Sequence, residues 1–204
     1  MSALPPGTIL QLMYLRERLG DIKPGRFLEI GPGSGEFAIL LKKEFNINKF
    51  YFIDLAENIP FCFLNIIRIF PKANYLLPNE INNKNFKNDS VDFIFLNSSQ
   101  ADQLEDNHID VSINTASLSE TDPKIIKNYF KILRNCMKED NLFFNVNRYE
   151  KFVYIDKNKT IIRTSDYPYN ENDFDYKNEI CTFNVGRQLQ NMFVRITKLS
   201  KNIL

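Results

Sequence analysis

The chain has 204 residues, of which 44% are hydrophobic and 25% charged. Those are ordinary globular values and exclude a disordered or fibrous chain. Its 26 basic and 25 acidic residues leave a formal charge of +1, without the basic excess of a protein that rides on a phosphate backbone. Nucleic acid is therefore set aside as a partner. The length suits one domain with a radius of gyration of roughly 17 Å, enough for a sheet covered on both faces.

Cys62, Cys136 and Cys181 are odd in number, far apart and free of any CxxC pair. That pattern argues against a disulfide framework and for a reducing, cytoplasmic compartment. His108 is the single histidine, and no acidic cluster marks a cation site, so no metal is expected. The apolar run at 10–15 is interrupted by Gln11 and followed by Arg16, Glu17 and Arg18, unlike a signal peptide. The most apolar stretch, 60–70, carries Asn65 and Arg68 and is too short to cross a bilayer. A soluble protein without membrane contact is expected.

In chain order, residues 2–7 read as a leader. Thr8 caps a helix over 9–19, with Gly20 as its stop. Lys23, Pro24 and Gly25 form a turn. A strand over 26–30, a glycine loop over 31–35 and a helix over 36–45 follow. A second strand covers 49–55, and a buried helix covers 58–70, ending at Pro71. Its stripe of Phe61, Phe63, Leu64 and Ile67 is expected in the core. A short strand over 74–77, an Asn-rich loop over 82–89, a strand over 91–96 and a short helix over 101–105 come next.

Another strand covers 109–114. Asp122 caps the next helix, with Pro123 at its first position and Ile126, Tyr129, Phe130 and Leu133 on one face. A strand over 142–146 ends this part. Strands alternating with helices are the mark of βαβ units and a parallel sheet. Beyond Lys151 the pattern changes. Strands over 152–155 and 160–164 form a hairpin. An acidic, aromatic, irregular stretch covers 167–178. A second antiparallel pair covers 180–185 and 192–199, with a break near Gly186.

The sharpest signal is Glu29-Ile30-Gly31-Pro32-Gly33-Ser34-Gly35. A strand enters a loop with glycine at every second position, then a helix begins. Glycine lets the chain turn sharply and lets a ligand lie against its backbone. The helix start offers free N–H groups. The loop suits a nucleotide-like cofactor at the carboxyl edge of the sheet. Dinucleotide loops use GxGxxG instead. Asp54 closes the next strand, where a carboxylate can accept both ribose hydroxyls of an adenosine.

On these residues the chain resembles the class I S-adenosylmethionine-dependent methyltransferases, over roughly residues 26–148. Asp54 is similar to their ribose-binding acid. Residues 113–120, Ile-Asn-Thr-Ala-Ser-Leu-Ser-Glu, look like the NTxSxxE stretch of a group of sugar O-methyltransferases. Residues 143–149 resemble that group's NR segment, and Asp54-Leu55-Ala56-Glu57 its DLPE turn, with Ala56 in place of proline. Thr121 departs where methionine is usual, and the amino-terminal part is shorter than in many relatives.

The resemblance implies a Rossmann-like, doubly wound α/β fold with a mostly parallel sheet and an antiparallel C-terminal part. One domain is expected: leader and helix over 1–25, cofactor core over 26–149, antiparallel strands and acidic loop over 150–204. The implied cofactor is S-adenosyl-L-methionine, held by Glu29, Gly31, Pro32, Gly33, Gly35, Asp54, Leu55, Ser98 and Asn114. The implied reaction is methylation of a hydroxyl on a sugar or polysaccharide precursor. A small non-sugar metabolite or a non-catalytic cofactor-binding module are the alternatives. An NPP-aromatic tetrad for base methylation is not present at 114–117.

A methyl acceptor must be placed in line and lose its proton. Glu120 is the first choice as general base, or else a carboxylate serving free N–H groups at a helix entrance. His108 is the second choice, or else a surface residue. Ser117, Asn147, Arg148 and Tyr149 leave strand ends where an acceptor would sit. Arg148 either holds an anionic or polyhydroxyl acceptor or pairs with a surface acid. Tyr167, Tyr169, Phe174 and Tyr176 suit sugar stacking or ordinary loop packing.

Overall fold

The computed structural model describes residues 6–19, 25–82, 86, 88–155, 157–185 and 188–201. Gly20, Lys23, Pro24 and Gly186, and residues 1–5 of the leader, lie outside them. Helix α1 covers Pro6–Leu19 and so takes in Thr8, the expected cap. Strand β1 (Arg26–Ile30), α2 (Glu36–Glu44), β2 (Lys49–Asp54) and α3 (Ile59–Ile69) follow, then β3 (Tyr75–Leu76). Strand β4 (Phe93–Asn97) runs into a 3-10 turn over Ser98–Gln103. Strand β5 (Ile109–Thr115) runs into another over Leu118–Glu120, then α4 (Pro123–Cys136). Strand β6 (Met137–Arg148) comes next, and β7 (Glu150–Ile155), β8 (Asn158–Arg163), β9 (Phe174–Val185) and β10 (Gln188–Lys198) form the antiparallel part.

Eight strands form one sheet in the order β3-β4-β2-β1-β5-β6-β10-β9. Pairings from β3 through β6 are parallel, and β10 enters antiparallel to both β6 and β9. This is the expected Rossmann-like, mostly parallel sheet with an antiparallel C-terminal part. The chain leaves β1 toward β2 in one direction and later returns to β1's other side as β5. Ligands in open α/β sheets sit at the carboxyl ends of strands where the order reverses in this way. That edge carries Ile30, Asp54, Asn97 and Asn114.

Alternate residues of each strand face opposite layers. Phe27, Phe50, Phe52, Phe93 and Phe95 form an aromatic layer packed under Leu15, Ala38, Leu41 and Ile66 of the first three helices. Phe50 stacks on Phe52 at 4.8 Å between ring centroids, and Phe52 on Phe95 at 4.9 Å. Leu28, Ile30, Tyr51 and Ile53 face the other way, against Ile126, Phe130 and Leu133 of α4. Asp122 caps α4 as expected, its side chain accepting from the Lys124 N–H at 2.7 Å.

Several expectations change. In α3, Phe61 and Leu64 are exposed, and the buried positions are Ile59, Cys62 and Ile66. The helix is apolar nearly all round, so periodicity could not choose its inward face. Strand β6 starts five residues before Leu142, and its register against β5 shifts between Ile109 and Val111. Strand β9 starts at Phe174, inside the stretch expected to be irregular. What precedes it is pinned: Arg134 donates to both carboxylate oxygens of Asp173 at 2.7 and 2.8 Å. That buried, bidentate pair ties the acidic loop to α4. The four loop aromatics do not form one platform. Tyr167 and Tyr169 pack edge-on against Phe130, while Phe174 and Tyr176 pair on β9.

Candidate functional site

Strand β1 ends at Ile30, and the next five residues turn into α2. Gly31, Gly33 and Gly35 all have positive φ, at 65°, 56° and 73°. Their surroundings differ. A Cβ on Gly31 would lie 2.3 Å from the Ser117 side chain, and one on Gly35 would lie 2.8 Å from Cys62 Sγ. Those two glycines permit close packing within the protein. Around a Cβ on Gly33 there is nothing within 4 Å. That glycine faces open space at the edge of the sheet. Pro32 closes the turn, its carbonyl accepting from the Gly35 N–H at 2.9 Å. From α3, Asn65 donates to the Ser34 carbonyl at 3.0 Å and fixes the loop's outer side.

Beneath the loop lies Glu29, only 1% exposed, with Oε2 unpartnered. A buried, unsatisfied carboxyl is costly, so a fold that keeps one needs a reason. Burial, and then the Asp54 charge, push its pKa up to about 8. Cys62 sits in the same field. Its thiol is raised by burial and by the Glu29 and Asp54 charges. Asp54 ends β2 beside Asn97 of β4. Its Oδ1 accepts from the Leu55 N–H at 2.8 Å and from Asn58 Nδ2 at 3.0 Å, while Oδ2 accepts nothing among the described residues. Leu55 is an exposed leucine directly after it, and Ser98 is exposed one residue past Asn97. Ser98 also lines a cavity of about 400 Å³ with Asp102, Asn128 and Lys131.

These features fit an adenosylated amino acid. The unpaired Glu29 carboxyl suits an ammonium, free Oδ2 of Asp54 suits ribose hydroxyls, Leu55 offers apolar cover, and Gly33 leaves its backbone open. Replacing Asp54 by alanine should weaken cofactor binding by about 1–3 kcal/mol, since buried polar partners lose their match. Calorimetry with S-adenosylhomocysteine measures it. Unchanged affinity in a folded variant would place the ribose elsewhere.

Next to this cleft, β5 and β6 carry a ladder of buried asparagines. Asn114 Nδ2 donates to the Ile30 carbonyl at 2.8 Å and to Ser117 Oγ. Its Oδ1 accepts from Asn147 Nδ2 at 2.7 Å and from the Leu118 N–H at 3.3 Å. Asn147 also donates to Asn145 and accepts from the Ser119 N–H at 2.9 Å. Asn145 in turn donates to the Tyr169 hydroxyl at 2.9 Å. Asn114 and Asn147 have no exposed surface, and both amide hydrogens of each are used inside the protein. Their side chains are spent on positioning the strand ends, in place of the direct cofactor and acceptor contacts expected of them. Ser117 is similarly occupied, donating to the Ile30 carbonyl at 3.1 Å. Ala116, at φ 69°, holds the strained backbone that turns Ser117 against Gly31.

Glu120 lies three residues past Ser117, exposed, with Arg148 Nη1 at 3.0 Å from its Oε1 and Lys151 on the same oxygen. Partial burial works against its charge, yet Lys151 and Arg148 hold its carboxyl below the usual range. Tyr149, half-exposed, begins the turn into β7 and donates its N–H to the Asn191 carbonyl at 3.0 Å. His108 is elsewhere. It precedes β5 at the amino edge of the sheet, where Nε2 meets the Tyr51 hydroxyl at 2.7 Å. Burial, then Arg26, lower its pKa. Asn114 lies six residue steps further on, about 20 Å along the sheet, so His108 is withdrawn as a base. Asn145, Lys151 and Gln190 contact the expected site residues Asn147, Glu120 and Arg148, and Cys62 lies against Gly35; sequence reasoning gave none of the four a place in the site. For Asn145 a signal was present: Asn145 and Asn147 alternate along a strand, on the face shared with Asn114.

The sequence matches no family model. No curated protein matches it either. Solved structures do share its fold. An S-adenosylmethionine-dependent methyltransferase from Clostridium acetobutylicum aligns at TM-score 0.60 and 11% identity, over 98% of this chain and 93% of that one. Another, from Leishmania major, aligns at 0.62 and 12%, over 92% of this chain and 70% of that one. A protein from Pyrococcus horikoshii aligns at 0.60 and 15%, over 95% and 90%. With the strand order, the reversal beside β1 and the glycine turn at that edge, the chain has the Rossmann-like fold that the Clostridium and Leishmania methyltransferases share.

Proposed function

We propose that the protein is an S-adenosylmethionine-dependent O-methyltransferase acting on a hydroxyl of a sugar or polysaccharide precursor. One observation carries the cofactor assignment: a buried, unpartnered Glu29 carboxyl beneath the open face of Gly33, one strand from Asp54. The shared fold of the S-adenosylmethionine-dependent methyltransferases from Clostridium and Leishmania supports it. The sugar assignment rests on the resemblance of residues 113–120 and 143–149, and on the polar rim those segments build. A cytoplasmic setting belongs to the same proposal and accords with Cys62 and Cys136 being free, buried thiols.

Glu29, Asp54, Leu55, Ser98 and the backbone at Gly33 would hold the cofactor, which supplies a methyl already activated on a sulfonium. The protein's remaining task is the acceptor hydroxyl, whose proton must leave as its oxygen gains carbon. Glu120 is the carboxylate placed to take it, through Oε2, which accepts nothing among the described residues. Lys151 and Arg148 hold its pKa low in the free protein, so release from them strengthens it as a base. Glu120→Gln should reduce single-turnover methyl transfer by about 10²-fold with cofactor affinity unchanged. Full activity would remove Glu120 from the proton transfer.

The direct test is calorimetry with S-adenosylhomocysteine and NAD, followed by product analysis with a labelled methyl donor. Binding of S-adenosylhomocysteine but not NAD, and label on a hydroxyl oxygen, support the reading. NAD binding without S-adenosylhomocysteine binding overturns it. Cofactor binding without turnover on any acceptor leaves a non-catalytic module.

A further inference from the structure

Arg148 and Lys151 converge on a single carboxylate oxygen, and the three groups differ in how firmly they are held. The Arg148 side chain is 25% exposed and that of Lys151 27%, whereas Glu120 is 52% exposed. Arg148 is fixed from behind, its Nε donating to Gln190 Oε1 at 2.5 Å. It also ends β6, directly after the fully buried Asn147. Lys151 lies on β7, on the inward face shared with Val153 and Ile155, which pack against the core. Glu120 instead ends a 3-10 turn of three residues, on a flexible side chain. The cations are therefore the built part of the cluster, and the carboxylate is its exchangeable part. Two positive charges against one negative leave an excess of one. The nearest further carboxylate along β7, Glu150, is already paired with Arg163 at 3.2 Å.

The position is equally specific. Glu120 follows Ser117 by one 3-10 turn, its N–H donating to the Ser117 carbonyl at 3.0 Å, and Ser117 presses against Gly31. The cation pair thus lies at the carboxyl edge of the sheet, on the β5–β6 side of the glycine loop.

We propose that Arg148 and Lys151 form an anion subsite, so that the acceptor is a carbohydrate bearing a negative group, a phosphate or a carboxylate. In the free protein Glu120 occupies that subsite. The acceptor's anion displaces it, and the released carboxylate turns to the neighbouring hydroxyl. A planar guanidinium next to an ammonium suits a multi-oxygen anion better than a neutral hydroxyl. Exchange of one anion for another also avoids burying an unpaired cation. The inference rests on the methyltransferase reading, since it identifies that reaction's acceptor.

The test compares three probes on the full chain saturated with S-adenosylhomocysteine: glucose 1-phosphate, glucuronate and glucose. Binding is followed by NMR titration at two ionic strengths. The expected result is that one or both anionic probes bind at least about tenfold tighter than glucose, and that the preference shrinks with added salt. Whichever anionic probe binds identifies phosphate or carboxylate as the source. Glu120→Gln should tighten the anionic probe, because the internal competitor is gone. Arg148→Gln and Lys151→Gln should each weaken it about tenfold or more, with S-adenosylhomocysteine affinity preserved as the sign of an intact fold. Equal binding of all three probes, or weaker anion binding in Glu120→Gln, overturns the anion subsite. Failure of S-adenosylhomocysteine itself to bind would instead overturn the underlying methyltransferase reading.

Discussion

Gly33→Val is expected to abolish S-adenosylhomocysteine binding while the protein remains folded. The three loop glycines share a backbone conformation but not a role. At Gly33 a built Cβ meets nothing within 4 Å, so the space a valine would fill belongs to no protein atom. Positive φ costs a branched residue about 1–2 kcal/mol, a strain confined to an exposed loop. The ligand pays more, because two methyl groups would stand where it must touch the backbone. A loss of more than about 10³-fold in affinity, or about 4 kcal/mol, is expected. Gly31→Ala should behave in the opposite sense. Its Cβ would sit 2.3 Å from Ser117, so the melting temperature should fall sharply. Trimming the obstacle in a Gly31→Ala, Ser117→Gly double variant should recover part of that loss. Isothermal calorimetry and thermal melting on the same samples separate the two effects. Normal cofactor binding by folded Gly33→Val would show that the ligand does not lie against this loop.

That contrast marks what the sequence could and could not convey. The GxGxG spacing shows that the chain turns tightly after a strand. It does not show that Gly31 and Gly35 answer to Ser117 and Cys62, which arrive from distant segments. Strand β1 and the loop were legible because buried strands before glycine turns have a strong local pattern. The carboxyl-edge position of Asp54 was legible for the same reason, as the polar end of an apolar run. His108 was misassigned although its place was legible: it directly precedes the strand over 109–114, and the start of a parallel strand lies at the edge opposite the ligand site. Here the strand that follows it begins at the far edge. Helix α3 misled because apolar residues occupy nearly every position, so its inward face depends on what packs above β2 and β4. The asparagine ladder was half visible: Asn114, Asn145 and Asn147 all read as polar strand residues. Their mutual satisfaction depends on the β5–β6 register, which places Asn114 opposite Asn145. Register is a tertiary property, and a one-residue slip would have turned those side chains to the other face.

The second large effect concerns Glu29 and pH. Its carboxyl is 1% exposed, and its pKa rises from the ordinary 4.5 to about 8. The unfolded chain releases this proton near 4.5, whereas the folded protein keeps it until about 8. Folding therefore binds a proton between those values, and stability declines as pH rises through that window. The contribution is complete below about 4.5, and its loss is complete above about 8. The separation corresponds to about 3–5 kcal/mol. Denaturant unfolding at pH 6 and pH 9 should show the decline, and Glu29→Gln should remove most of it. A glutamine keeps the shape and never ionises, so the variant should be more stable than wild type at pH 9. The same replacement should weaken S-adenosylhomocysteine binding, because the ligand's ammonium loses the charge it would face. Near pH 7 a cation arriving beside Glu29 favours the ionised carboxylate, so binding should release a proton in the wild type. Calorimetry in buffers of different ionisation enthalpy counts that proton. Glu29→Gln should bind without it, leaving only what the ligand itself exchanges. Identical pH profiles and identical proton counts in the two proteins would mean that Glu29 neither holds a proton at neutral pH nor meets the ligand's ammonium.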